Sequence, residues 1–192
     1  MRWAPQHPDG LLGCADEVWG SRLARPALHA GQEDAHPLRL IAQTVARDDP
    51  APKALACSGL VARCWDATAR RSEELWLRFV AGRPVTVSAV TIDFLRWCAQ
   101  QAQAQARHKR AVLLIWDTAS WHDSQSVRAG LRQHNRQVKQ CGQGVRLMAC
   151  YLPTKSPWLN PIAPKWVPGK RKVVEPERLL TATELAERVC AV

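Results

Sequence analysis

Six consecutive apolar residues, Ala111-Val112-Leu113-Leu114-Ile115-Trp116, run directly into an acid, Asp117. A strand that is apolar on both faces belongs in the middle of a sheet that is itself covered on both sides. A second candidate buried strand, residues 145–151, apolar except for Arg146, follows after a helix-length interval. In that interval, residues 124–139 set Val127 and Leu131 on one side and Arg128, Arg132, Arg136 and Lys139 on the other, the spacing of a surface helix. The chain must therefore build a sheet with helices packed against it.

The first half reads as strands. Leu11-Leu12-Gly13-Cys14-Ala15 is a short apolar run ending at Asp16-Glu17, with residues 22–30 as a candidate hairpin partner. Residues 37–45 and 54–64 are further apolar runs, separated by the turn-forming Asp48-Asp49-Pro50. These predict an antiparallel meander. Residues 87–107 carry Val90, Phe94, Trp97 and Cys98 at helical spacing, and Thr181-Ala182-Thr183-Glu184 is a capping box opening a helix through Leu185 and Val189. Strands followed by alternating strand and helix predict an α/β fold, a mixed sheet flanked by helices. With 192 residues, 46% of them hydrophobic, one domain spanning 1–192 is expected.

Charge narrows the function. The chain has 27 Lys and Arg against 17 Asp and Glu, a formal charge of +10. Residues 1–96 hold 12 basic and 11 acidic side chains, whereas residues 97–192 hold 15 and 6. Residues 124–174 contain ten cations and no acid. Such a surface suits a polyanion. No apolar run approaches the ~20 residues of a membrane span, and the N-terminus has no continuous apolar stretch of a secretory signal. Seven cysteines with no C-x-x-C pair argue against a disulfide framework and a thiolate zinc site. Buried free thiols in a reducing cytoplasm are expected.

Asp16 and Asp117 each close an apolar run in this reading. An acid at the end of a buried strand is costly unless something satisfies its charge, and a divalent cation does so. The surrounding residues carry a resemblance. Asp117-Thr118-Ala119-Ser120-Trp121-His122, followed by Tyr151-Leu152-Pro153-Thr154-Lys155-Ser156-Pro157-Trp158-Leu159-Asn160-Pro161-Ile162, is similar to the catalytic core of mariner-like bacterial insertion-sequence transposases of the DDE superfamily. The family reads D-N-A-x-x-H at its second acid and L-P-x-x-S-P-x-L-N-P-I-E at its third. Its first acid stands in A-D-E, which Ala15-Asp16-Glu17 matches. The resemblance covers residues 11–192.

It implies a ribonuclease-H-like fold that cuts and rejoins DNA, with DNA as partner and a homodimer left open as the assembly. It also implies two divalent ions, Mg²⁺ or Mn²⁺, bridging attacking and leaving oxygens, with Asp16 and Asp117 as catalytic residues and metal ligands. A location in the bacterial cytoplasm at the nucleoid follows.

Three departures weaken that implication. Where the family has its third acid, after Asn160-Pro161-Ile162, this chain has Ala163. Thr118 replaces the family's asparagine. Pro168 falls inside the helix that should carry the third acid, at a cost of roughly 3 kcal/mol in a helix interior. Glu175 and Glu177 are the only acids within fifteen residues downstream, about 18 Å or more away along a continuous helix. The family's helix-turn-helix region normally precedes the core, and Asp16 follows only 15 residues of chain, so its absence is expected. The expected function is a transposase catalytic domain, truncated and impaired. The alternative is a catalytically inactive, sequence-nonspecific DNA-binding remnant.

His122 matches the family's histidine and is a candidate to orient water or phosphate at the site. Lys155 and Lys165 flank the third motif, and Lys170, Arg171 and Lys172 form a basic cluster after it. With His122, these are the candidate DNA contacts. The nine tryptophans are expected mainly in the core, with Trp121 and Trp158 beside the motifs as candidate base-stacking groups. Glu17 reads as a surface charge.

Overall fold

A computed structural model describes residues 6–22, 45–66, 68, 70–81, 87–105, 109–172 and 179–191. Its elements are β1 (Gly10–Ser21), β2 (Ala54–Trp65), β3 (Arg71–Ala81), α1 (Val87–Gln105), β4 (Ala111–Trp116), α2 (Gln125–Cys141) and β5 (Arg146–Tyr151). A single turn of 3-10 helix at Pro157–Leu159, then α3 (Ala163–Lys172) and α4 (Ala182–Cys190), complete the chain. The five strands form one mixed sheet in the order β3-β2-β1-β4-β5. The first three pair antiparallel, and β4 runs parallel to both β1 and β5. The apolar hexapeptide thus lies between two strands, as its composition requires.

Side chains alternate across the sheet. On one face Leu11, Ala15, Leu60, Val112, Leu114 and Leu147 pack under α1 and α2, which contribute Phe94, Leu95, Cys98 and Val127. On the other, Leu12, Cys14, Val18, Cys57, Val61 and Ile115 meet Ile162 and Trp166 of the α3 region. Asp16 falls in phase with Leu12, Cys14 and Val18, so it faces α3.

Local signals fix several ends. Ser124 caps α2, its hydroxyl accepting from the Val127 N–H at 3.2 Å, and Gly142 with φ of 65° closes the helix. Asn135 of α2 bonds both the N–H and the C=O of Leu147, at 2.8 and 2.7 Å, so part of the edge strand β5 is paired by a side chain. Both halves of the Thr181 capping box form, Glu184 N–H to Thr181 Oγ1 at 3.1 Å and Thr181 N–H to Glu184 Oε2 at 2.8 Å. Buried Arg22, at the end of β1, donates to the Leu180 carbonyl at 2.5 Å and to Asp49 at 2.8 Å. It thereby ties the entry of α4 to the sheet.

The structure departs from the sequence reading in three places. Asp16 does not end a strand: β1 continues to Ser21, pairing with β2 throughout. Its pairing with β4 stops at Cys14 and Ile115, so from Ala15 on the strand has one neighbour and carries polar residues. The strand β3 escaped notice because its first half is charged, as suits an edge facing solvent. Pro168 lies inside α3, as the sequence places it, and the backbone stays helical to Lys172. Three cysteines, Cys141, Cys150 and Cys190, are exposed, although all seven are free. The strands expected at 22–30 and 37–45 lie almost entirely outside the described residues. Among the described residues no helix is long and apolar enough to cross a membrane.

Candidate functional site

The parallel register that pairs Cys14 with Ile115, continued by two residues, sets Asp16 level with Asp117. The two acids are close enough that the Asp117 charge raises the Asp16 pKa. Burial is the largest cause of that rise, opposed by the Glu17 N–H and by the indole of Trp166. Glu17 N–H reaches Asp16 Oδ1 at 2.9 Å, and Trp166 Nε1–H reaches Oδ2 at 3.0 Å. Gly59, the β2 residue opposite Asp16, makes room for this bond. A Cβ there would lie 2.6 Å from the Trp166 ring and 3.0 Å from Ile162.

Asp117 begins the loop after β4. Its Oδ1 accepts the Ala119 N–H at 3.1 Å and His122 Nδ1–H at 2.7 Å. His122 is buried, stacked on Trp116 with ring centroids 4.7 Å apart and met edge-on by Trp121. Its Nε2 lies 3.6 Å from Glu17 Oε1, and Trp121 Nε1–H donates to Glu17 Oε2 at 3.1 Å. Burial, the largest single influence, lowers the His122 pKa, but Glu17 and Asp117 together outweigh it and the net shift is upward. The ring thus bridges two carboxylates. Tyr151 adds a hydroxyl bond to the His122 carbonyl at 3.3 Å.

The third motif is anchored beside these acids. Buried Asn160 donates to the Ala15 carbonyl at 2.7 Å, next to Asp16. Ala163 then opens α3 one turn ahead of Trp166, and residues three apart share a helix face. Position 163 therefore lies on the face of α3 that meets Asp16, and it carries a methyl group.

Of the candidate residues, Asp16, Asp117 and His122 come together. Glu17, read as a surface charge, joins them through His122 and Trp121, and Trp166 joins through Asp16. The sequence signal for Trp166 is its i+3 spacing from Ala163. Lys165 points elsewhere, its Nζ 3.0 Å from Glu73 Oε1, while Glu73 Oε2 holds Arg63. Lys155 is exposed in a turn with φ of 60°. The side chains of Lys170, Arg171 and Lys172 lie outside the described residues.

These residues do not fit a pair of divalent ions. Asp16 and Asp117 supply only two carboxylates, and N–H donors already use lone pairs on both Asp16 oxygens and on Asp117 Oδ1. Among the described residues no group of three His, Cys, Asp or Glu side chains is arranged to hold a metal.

The fold and the sequence both have relatives. The family described as DDE superfamily endonuclease matches residues 46–186, more than half of the chain. The chain belongs to that superfamily. The match includes Asp117 and Ala163 but starts after Asp16, whose assignment rests on the sheet register. Two solved structures share the fold. The Mos1 transposase paired-end complex with left transposon end is 15% identical with a TM-score of 0.55, and the Mos1 mariner paired-end complex with Mn is 16% identical with a TM-score of 0.54. Each comparison covers 96% of this chain and 47% of the other, so the chain spans about half the length of those transposases. The mixed sheet with flanking helices is thus ribonuclease-H-like, in the form seen in Mos1. No curated protein matches significantly.

Proposed function

We propose that this chain is the catalytic domain of a mariner-like insertion-sequence transposase that binds DNA and whose metal-dependent cleavage is impaired. The observation that carries this reading is the convergence of Asp16 and Asp117 opposite a helix face on which Ala163 stands where the family has its third acid. Two close cations repel each other, and two carboxylates offset that repulsion less well than three. A second reading, complete loss of catalysis with DNA binding retained, is supported by the donors on both Asp16 oxygens.

In either case the excess of cations over residues 124–174 supports contact with the phosphate backbone. Such binding is indifferent to sequence, since phosphate contacts carry no base information. Anisotropy titrations with unrelated labelled duplexes test this. Equal affinities falling steeply with salt are expected, and a preference for one terminal-repeat sequence at physiological salt overturns it.

A further inference from the structure

The exposed face of α2 is used by nothing in the site. Arg128, Arg132, Arg136 and Lys139 are all exposed. At about 100° per residue they fall within an arc of about 80° on the helix surface. The opposite side is spoken for by Val127, which is in the core, and His134, which bonds the Val145 carbonyl at 2.8 Å; Asn135, about 20° from Arg128 around the helix, holds β5. The remaining exposed positions are largely glutamine, and α2 contains no acid. Arg128 is paired with Asp123, just outside the helix. Among the described residues no carboxylate pairs with Arg132, Arg136 or Lys139.

A helix face that serves only solubility usually mixes signs, because i,i+4 pairs of opposite charge favour the helix and like pairs oppose it. Arg128, Arg132 and Arg136 are like pairs at that spacing. The arrangement therefore disfavours the isolated helix and gains only against an anion. Its extent suits a polymeric one, since Arg128 to Lys139 spans about 16 Å along the axis. Its position matters too. The N-terminal end of α2 follows the Asp117 loop, at the carboxyl end of β4.

We propose that this stripe is a phosphate-tracking surface for duplex DNA, in which Arg132, Arg136 and Lys139 hold the backbone along α2 and lead it toward the carboxylate site. The proposal rests on the DNA-binding reading above and assigns that binding to a place. No side chain of the stripe packs in the core, so neutral variants should leave the fold intact.

The test is fluorescence anisotropy of a labelled duplex of arbitrary sequence across a series of NaCl concentrations, using the full chain. For B-DNA the slope of log Kobs against log salt changes by about 0.9 for each phosphate neutralised. The triple variant Arg132→Gln, Arg136→Gln, Lys139→Gln is expected to have a slope shallower by about 2.7 on that basis. The charge-matched control Arg47→Gln, Arg70→Gln, Arg71→Gln should change the slope by less than one unit. Should the triple variant lose its far-ultraviolet helical signal, Arg136→Gln alone is read, with an expected change of about 0.9. A stripe variant with the slope of the wild type, while the wild type binds, overturns this proposal alone. A wild type that binds no duplex at low salt overturns it together with the DNA-binding reading.

Discussion

The indole N–H of Trp166 donates to Asp16 Oδ2 at 3.0 Å, joining α3 to the middle of β1 across 150 residues of sequence. This bond helps hold a half-buried carboxylate that burial and the neighbouring Asp117 both disfavour. Trp166→Phe keeps most of the packing and removes the donor, and should cost about 1–2 kcal/mol. In the Trp166→Phe background, where one amide oxygen suffices for the remaining Glu17 N–H, Asp16→Asn removes one of two converging charges and should raise stability at neutral pH. Urea denaturation of both variants checks the pair of signs. A stabilising Trp166→Phe, or a destabilising Asp16→Asn in that background, contradicts the description of the site as electrostatically strained.

Gly59 is expected to be intolerant of any side chain. A methyl group there meets the Trp166 ring at 2.6 Å, well inside van der Waals contact, and overpacking of this kind costs typically about 1–3 kcal/mol. In a Trp166→Ala background the penalty for Gly59→Ala should shrink, because the obstructing ring is gone. A double-mutant cycle in urea measures that coupling, and strict additivity would be the contrary result.

How much of this was legible in advance follows from the range of each interaction. The β4 hexapeptide and the Thr181 capping box are local, and each lies where the sequence places it. Asp117 was legible because its strand is short and ends where the apolar run ends. Asp16 was singled out as a candidate acid but mistaken for a strand terminus, since loss of apolar character there reflects the end of β4 beside it, not the end of β1. Glu17 and Trp166 depend on Trp121, His122 and Gly59 arriving from distant segments, and no local pattern in residues 10–21 announces that.

Acid should weaken the attachment of α4. Asp49 accepts the Arg22 guanidinium and the Ala51 N–H, each at 2.8 Å, and the Arg22 bond is the largest cause holding its carboxyl below the usual range. A depressed pKa in the fold contributes stability above the unfolded value, near 4, and that contribution is lost as pH falls through the lower folded value. Stability should therefore decline below about pH 4, and Asp49→Asn should flatten the part of the curve it governs. Tm measured by circular dichroism from pH 2 to 7 checks this. Identical profiles for the two proteins would contradict it.

Restoring an acid on α3 should restore metal affinity. Ala163→Glu adds a third carboxylate to the face that carries Trp166, so without metal it should lower Tm through repulsion. With Mg²⁺ or Mn²⁺ the loss should be recovered, because an ion that binds only the folded state stabilises it by mass action. Thermal melts with and without each ion, alongside the wild type, read out the difference. A variant whose Tm is indifferent to both ions would show that position 163 does not face the two aspartates.

The account stands most directly on the chemistry of the unaltered chain. Purified protein incubated with supercoiled plasmid in Mg²⁺ or Mn²⁺, beside an Asp117→Ala control, measures whether two carboxylates suffice. Nicking absent, or barely above the control, is the predicted result. Robust nicking abolished by Asp117→Ala would contradict it and establish a working site despite Ala163.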